Sequence, residues 1–168
     1  MSRVYVVGGE NGSLGTGNVL LAMKTAADLA TAAGAIAVRR IEIFQNATAT
    51  AAQCRAEIFT RDTAGTLTMT SVTPRALSPL SGPASGISGN TAPAGGNGRV
   101  GFNSSADSGG TYTSQYQFNF NNLNGWLWVP TPTEVLEVPP ATVWGVRFIA
   151  APGTTTGWGI AVTFEELA

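Results

Sequence analysis

The sequence predicts an all-β fold, an antiparallel β-sandwich, and three observations carry that prediction. Beyond Gly34 apolar and polar residues alternate at period two in one segment after another, the pattern of strands with one face in a core and one in water. These segments number about eight and recur at ~8–12-residue spacing with Gly/Pro turns between them. The length, 168 residues, suits one domain with a core of ordinary size.

The chain opens on "VYVVGGENGSLGTGNVLLAMK", residues 4 to 24, where an apolar run meets a glycine-rich segment. A phosphate-binding loop would need a Lys and a Ser or Thr directly after its second glycine. Gly12 to Gly17 has the interval, but Asn18 and Val19 follow, and Lys24 lies too far along. The dinucleotide pattern fails as well, because Leu20 stands where its third glycine belongs. Residues 1–18 therefore read as an extended N-terminal arm and a glycine-rich turn, and residues 19–168 as the sandwich domain.

The next stretch, "NVLLAMKTAADLATAAG", is rich in helix formers, and Gly34 suits a helix C-cap. It also reads as one or two short strands that meet the following segment through a hairpin at Ala33-Gly34. The all-β context favours a strand near Leu29 to Ala32. "AIAVRRIEIF" (35 to 44) then carries Ile36 and Val38 on one parity and Ile41 and Ile43 on the other. That switch at Arg39-Arg40 predicts a β-bulge or a change of sheet environment. "QCRAEIFTR" and "TLTMTSV" alternate cleanly, with Cys54, Ala56, Ile58, Leu67 and Met69 as core positions.

Residues 74 to 111 are dominated by Pro, Gly, Ser and Asn and read as a long excursion pinned on a neighbouring surface. Strands resume at "QYQFNF", where Tyr112, Tyr116, Phe118 and Phe120 share one parity, and at "GWLWVP". Trp126 and Trp128 fall on one face of that strand and Leu127 and Val129 on the other. Both faces are apolar, as in a strand covered by a core and by a partner. "EVLEV" leads through Pro139-Pro140 to "TVWGVRFIAA", with Trp144, Val146 and Phe148 in register. Trp158, Ile160, Val162 and Phe164 line the closing strand.

Composition narrows the chemistry. Charged residues make up 11% and the net charge is −1, against roughly 25% charged in ordinary soluble chains. Nothing steers the protein toward nucleic acid, and no apolar run approaches the ~20 residues of a membrane helix. The amino terminus lacks the order of a signal peptide. No histidine occurs and Cys54 is the single cysteine, which excludes an intrachain disulfide and the histidine-based triads and zinc sites. Glu134 with Glu137 and Glu165 with Glu166 would point to opposite faces of strands and read as solvated strand ends. Asn103, Ser104, Asp107 and Ser108 offer oxygens but too few carboxylates for calcium. No cofactor is expected.

The order of the pieces resembles the small jelly-roll decoration, or cement, proteins of tailed bacteriophage capsids. The resemblance covers about residues 25 to 168. It rests on "RRIEIFQ…AEIFTRDTAGT", the "VTPRAL" exit, "LEVPPATVWGVRFIAAP" and the closing "AVTFEEL". It implies a non-enzymatic virion protein with a jelly-roll-like sandwich on the capsid exterior, made in the host bacterial cytoplasm. Its implied partners are the major capsid protein and further copies of itself, as a homotrimer. Candidate contact residues are Arg3, Val4, Tyr5, Val6 and Val7, as an arm that adds to a neighbour, together with Trp126 and Trp128. The alternative expectation is a carbohydrate-binding adhesion or tail-associated lectin-like module, with Trp126, Trp128 or Trp158 open to solvent. A glycoside hydrolase would need two carboxylates across a cleft, and the sequence offers no such pair.

Overall fold

Alternation at period two resolves into two sheets packed face to face, a β-sandwich, in a computed structural model that describes residues 3–15, 17–27, 34–78 and 84–167. The strands are β1 (Arg3–Glu10), β2 (Val19–Lys24), β3 (Ala35–Gln45), β4 (Gln53–Arg61), β5 (Thr66–Ser71), β6 (Arg75–Ala76) and β7 (Ser88–Gly89). They continue with β8 (Arg99–Ser108), β9 (Tyr112–Asn121), β10 (Trp126–Trp128), β11 (Leu136–Val138), β12 (Val143–Phe148) and β13 (Trp158–Leu167). The first sheet runs β10-β3-β13-β1-β6, with β11 also on β3. The second runs β5-β8-β2-β12-β4-β9. All pairings are antiparallel except the two-residue one of β7 with β8. From β1 to β4 each connection crosses to the other sheet, so hydrogen-bonded neighbours are mostly distant in sequence.

The core lies between the sheets. Ile36, Ile41, Ile43, Val162 and Phe164 from the first meet Leu21, Met23, Ile58, Trp144 and Val146 from the second, all buried. The change of parity in β3 is a β-bulge: Thr163 pairs with Arg40 and Phe164 with Val38, leaving Arg39 as the extra residue. Both aliphatic pairs of β3 thereby reach the same core although their sequence parities differ. Cys54 is buried as a small apolar residue, and burial raises its thiol pKa. A second apolar cluster lies on the far face of the second sheet, where Phe59, Leu67, Met69, Ala94 and Val143 pack together. This cluster explains why Leu67 and Met69 alternate with threonines.

Four expectations change. The N-terminal segment is extended, but it is a full strand between β13 and β6 rather than a free arm. Its Tyr5 and Val7 belong to the core, while Val4 and Val6 on the other face are partly exposed. The glycines that follow form a turn between the sheets, pinned by the Leu14 N–H to the Thr155 carbonyl at 2.7 Å. Gly17 there adopts φ +85, with the Asp107 side chain close against it.

The helix reading gives way over residues 19–24, which form β2 between β8 and β12. Burial of Val19 to Met23 on both sides overrides their helix propensity. The strand expected at Leu29 to Ala32 and the hairpin at Ala33 lie outside the described residues. The long excursion is shorter than expected, since β8 occupies residues 99–108. Within the described part of the remainder, Ile87 and Ala94 are buried.

The last change is in β9. Ile58 pairs with Tyr116 and Phe59 with Ser114, so Gln115 is an extra, bulged residue. The bulge reverses the faces. Tyr116, Phe118 and Phe120 face inward, whereas Tyr112 lies outside against Phe59, at 4.8 Å between ring centroids.

Candidate functional site

The aromatic parity of β9 builds a row of rings that runs from the core to the surface. Trp158 and Phe148 sit at the inner end, 4.7 Å apart, and Phe120 is 6.0 Å from Trp158. Phe118 follows at 6.0 Å from Phe120, then Tyr116 at 6.1 Å from Phe118. Trp126 stacks flat on Phe118, 3.5 Å away and tilted by only 6°. Tyr116 ends the row in the open, 52% exposed.

The open end exists because the first sheet's edge is interrupted there. Trp128 pairs with Ile41 and Leu136 with Val38, so the break between β10 and β11 falls opposite the β3 bulge at Arg39 and Arg40. The strand pairing on this edge of β3 stops at Trp128 and resumes at Leu136, and residues 129–135 leave the sheet and return. Within that excursion the Glu134 N–H donates to the Thr131 carbonyl at 2.9 Å. The Thr131 hydroxyl donates to Glu134 Oε2 at 2.8 Å. The turn thus fixes a carboxylate at the lip of the opening.

The result is a groove of about 450 Å³ lined by Gln115, Tyr116, Trp128, Glu134 and Leu136. A narrower space of about 130 Å³ shares Gln115, Ile58 and Leu136 with it and reaches Trp144. The bulge places Gln115 here, with its Nε2 donating to Thr60 Oγ1 at 3.0 Å. Trp144 is buried, and its Nε1–H meets no acceptor among the described residues. A buried donor of this kind is costly unless something accepts from it.

Beside the groove, on the outer face of the first sheet, β10 leaves apolar side chains in water. Leu127 is 57% and Val129 61% exposed, and Phe44 and Leu123 are also exposed. Phe44, Leu123 and Leu127 line one shallow hollow of about 320 Å³ with Glu42, Asn122 and Asn124.

The predicted contact residues therefore separate into two places. Trp126 and Trp128 are half-buried, with their strand's other face open to solvent as a contact surface requires. Of the N-terminal set, Arg3 is exposed, Val4 and Val6 are partly exposed, and Tyr5 and Val7 are sealed in the core. The structure does not bring the two sets together into one site: β3 and β13 lie between their strands. Phe44 was legible in "IEIFQ" as the apolar residue of opposite parity to Ile41 and Ile43. Gln115 carried no signal, because a bulge is not written in local alternation.

Of the oxygens considered for calcium, those of Asp107 and Ser104 are engaged elsewhere, whereas Asn103 Oδ1 is buried with no partner among the described residues. Asp107 accepts from Arg61 at 3.1 Å and from the Tyr112 hydroxyl at 2.6 Å, and Ser104 Oγ accepts from the Val19 N–H at 3.1 Å. Arg147 lies over the Tyr112 ring at 3.8 Å and donates to Glu57 at 2.7 Å. Burial first, then Asp107, raises the Tyr112 pKa well above that of an ordinary phenol. This chain of charges stitches the outer face of the second sheet. No cluster of three or more metal-ligating side chains occurs among the described residues. Comparison with protein-family models, with curated proteins and with solved structures found no match.

Proposed function

We propose that the protein is a structural component of a phage virion that binds the outer surface of the capsid and stabilises the shell. The observation that carries this reading is the cluster of exposed apolar side chains, Phe44, Leu123 and Leu127, that line one hollow at the edge of the first sheet. Large apolar groups gathered in water mark an interaction surface. The low charge of the chain, 11%, supports the same reading, since few like charges oppose close packing of copies on a lattice. The role needs no catalytic step and no cofactor. Its partners are the major capsid protein and other copies of the chain, as a homotrimer.

The test is sedimentation of the purified protein with capsids that lack it, together with its mass in solution. The expected result is a trimer that saturates the capsids at a fixed ratio to the shell protein. Leu127→Asp, which changes an exposed position, is expected to weaken capsid binding at least ~10-fold while leaving thermal stability within about 0.5 kcal/mol. Capsid binding unchanged in Leu127→Asp would remove this edge from the contact. A protein that never sediments with capsids would end the reading.

A further inference from the structure

The geometry points to a carbohydrate-binding site in the groove between the sheets, one that takes a neutral sugar ring. The site is independent of the edge proposed to meet the capsid: Phe44, Leu123 and Leu127 line the outer hollow, whereas Tyr116 and Trp128 line the groove.

A sugar has an apolar C–H face and a rim of hydroxyls that both donate and accept. The groove presents the complement to each. Tyr116 and Trp128 offer aromatic surface on which a C–H face can rest. Glu134 uses Oε2 toward Thr131 and Gln115 uses Nε2 toward Thr60, which leaves Glu134 Oε1 and Gln115 Oε1 as acceptors for hydroxyl protons. The Trp144 ring lines the narrow end, with its indole N–H buried.

Two features argue that the site is built. A β-bulge places Gln115 on the wall of the groove, and bulges that re-aim a side chain cluster beside functional sites. The volume, about 450 Å³, falls within the ~300–1,000 Å³ common for ligand sites.

The chemistry also excludes competitors. The Glu134 carboxylate repels an acidic sugar. A quaternary ammonium would suit the rings and the carboxylate but has no N–H to donate to Gln115 Oε1.

The experiment is saturation-transfer NMR followed by titration with glucose, galactose, mannose, fucose and N-acetylglucosamine, with glucuronate and choline as counter-probes. At least one neutral sugar is expected to bind at ~10 mM or below. Tyr116→Ala and Trp128→Ala are each expected to weaken it about 10-fold, and Gln115→Ala by several-fold. Gln115→Ala, at an exposed position, is expected to leave folding intact and so reports on binding alone. Silence from all five neutral sugars overturns the proposal. So does binding that survives Tyr116→Ala and Gln115→Ala, or choline binding through these residues in preference to sugar.

Discussion

The two ends of the β9 aromatic row are made of the same residue types and behave in opposite ways. At the inner end Phe120, Phe148 and Trp158 are buried, and the Trp158 indole donates to the Thr154 carbonyl at 2.7 Å. At the outer end Tyr116 stands in water, Trp128 is half-buried, and the neighbouring Trp144 has a donor with no acceptor among the described residues. Composition does not separate them; what lies across the row does. Over the inner end β13 passes as an unbroken ten-residue strand. Over the outer end the edge of the first sheet breaks between β10 and β11, opposite the Arg39 bulge. A sealed aromatic contributes to stability and an open one remains available for contact.

The largest expected effect tests that division directly. Trp158→Ala is expected to cost about 3–5 kcal/mol of unfolding free energy, as large aromatic truncations in cores do. Trp128→Ala is expected to cost about 1 kcal/mol. Urea denaturation followed by circular dichroism measures both. Equal costs would make the open end part of the core and dissolve the contrast.

A second pair sharpens it. Trp158→Phe and Trp144→Phe remove the same volume from buried sites, but the first discards a satisfied hydrogen bond and the second an orphaned donor. Trp158→Phe is therefore expected to be more destabilising by about 1 kcal/mol. Reversal of that order would mean that Trp144 has an acceptor in solution.

Much of this architecture was legible in the sequence because period-two alternation responds directly to a half-buried sheet. The sandwich, the core faces of β4, β12 and β13, and the bulge at Arg39-Arg40 all follow from which parity is apolar. Three features were not legible, for different physical reasons. β2 is made of helix formers whose strand state is imposed by neighbours on both sides. β8 is rich in Ser, Gly and Asn, with Val100 its one large buried apolar residue, so no alternation marks it. Gln115 leaves no local trace, since an inserted residue shows only against its partner strand. The candidate groove depends on that bulge and on the broken edge, so the sequence could mark Trp128 as a contact residue but could not place Glu134, Gln115 and Trp144 beside it. The N-terminal arm failed for another reason: "VYVV" is a short continuous apolar run, which suits a strand inside a sheet as well as an arm.

The smallest expected effect carries the sealed-versus-open contrast to charged groups. Glu165 and Glu166 are consecutive on β13 and face opposite ways. Glu165 pairs with Arg39 on the outside. Glu166 is 4% exposed; its Oε1 accepts from the Ser85 hydroxyl and from the Gly86 N–H at 2.9 Å, while its Oε2 has no partner among the described residues. Burial raises the Glu166 pKa above its ordinary 4.5, against the lowering effect of those two hydrogen bonds and of Arg3. The folded state then holds this proton more tightly than the unfolded chain, so unfolding free energy falls as pH rises from 4.5 through the raised value. Asp62 has the opposite sign. The Thr111 N–H leads in holding its pKa below 3.8, so its contribution is complete above that value and is lost as pH falls through the folded pKa. The two windows do not overlap, and urea titrations across the acid range separate them. Glu166→Gln is expected to abolish the decline above pH 4.5, Glu165→Gln to keep it, and Asp62→Asn to alter only the lower window. A wild-type profile without that decline would mean that water reaches Glu166 as it reaches Glu165, and that the sandwich seals its aromatic groups more completely than its charges.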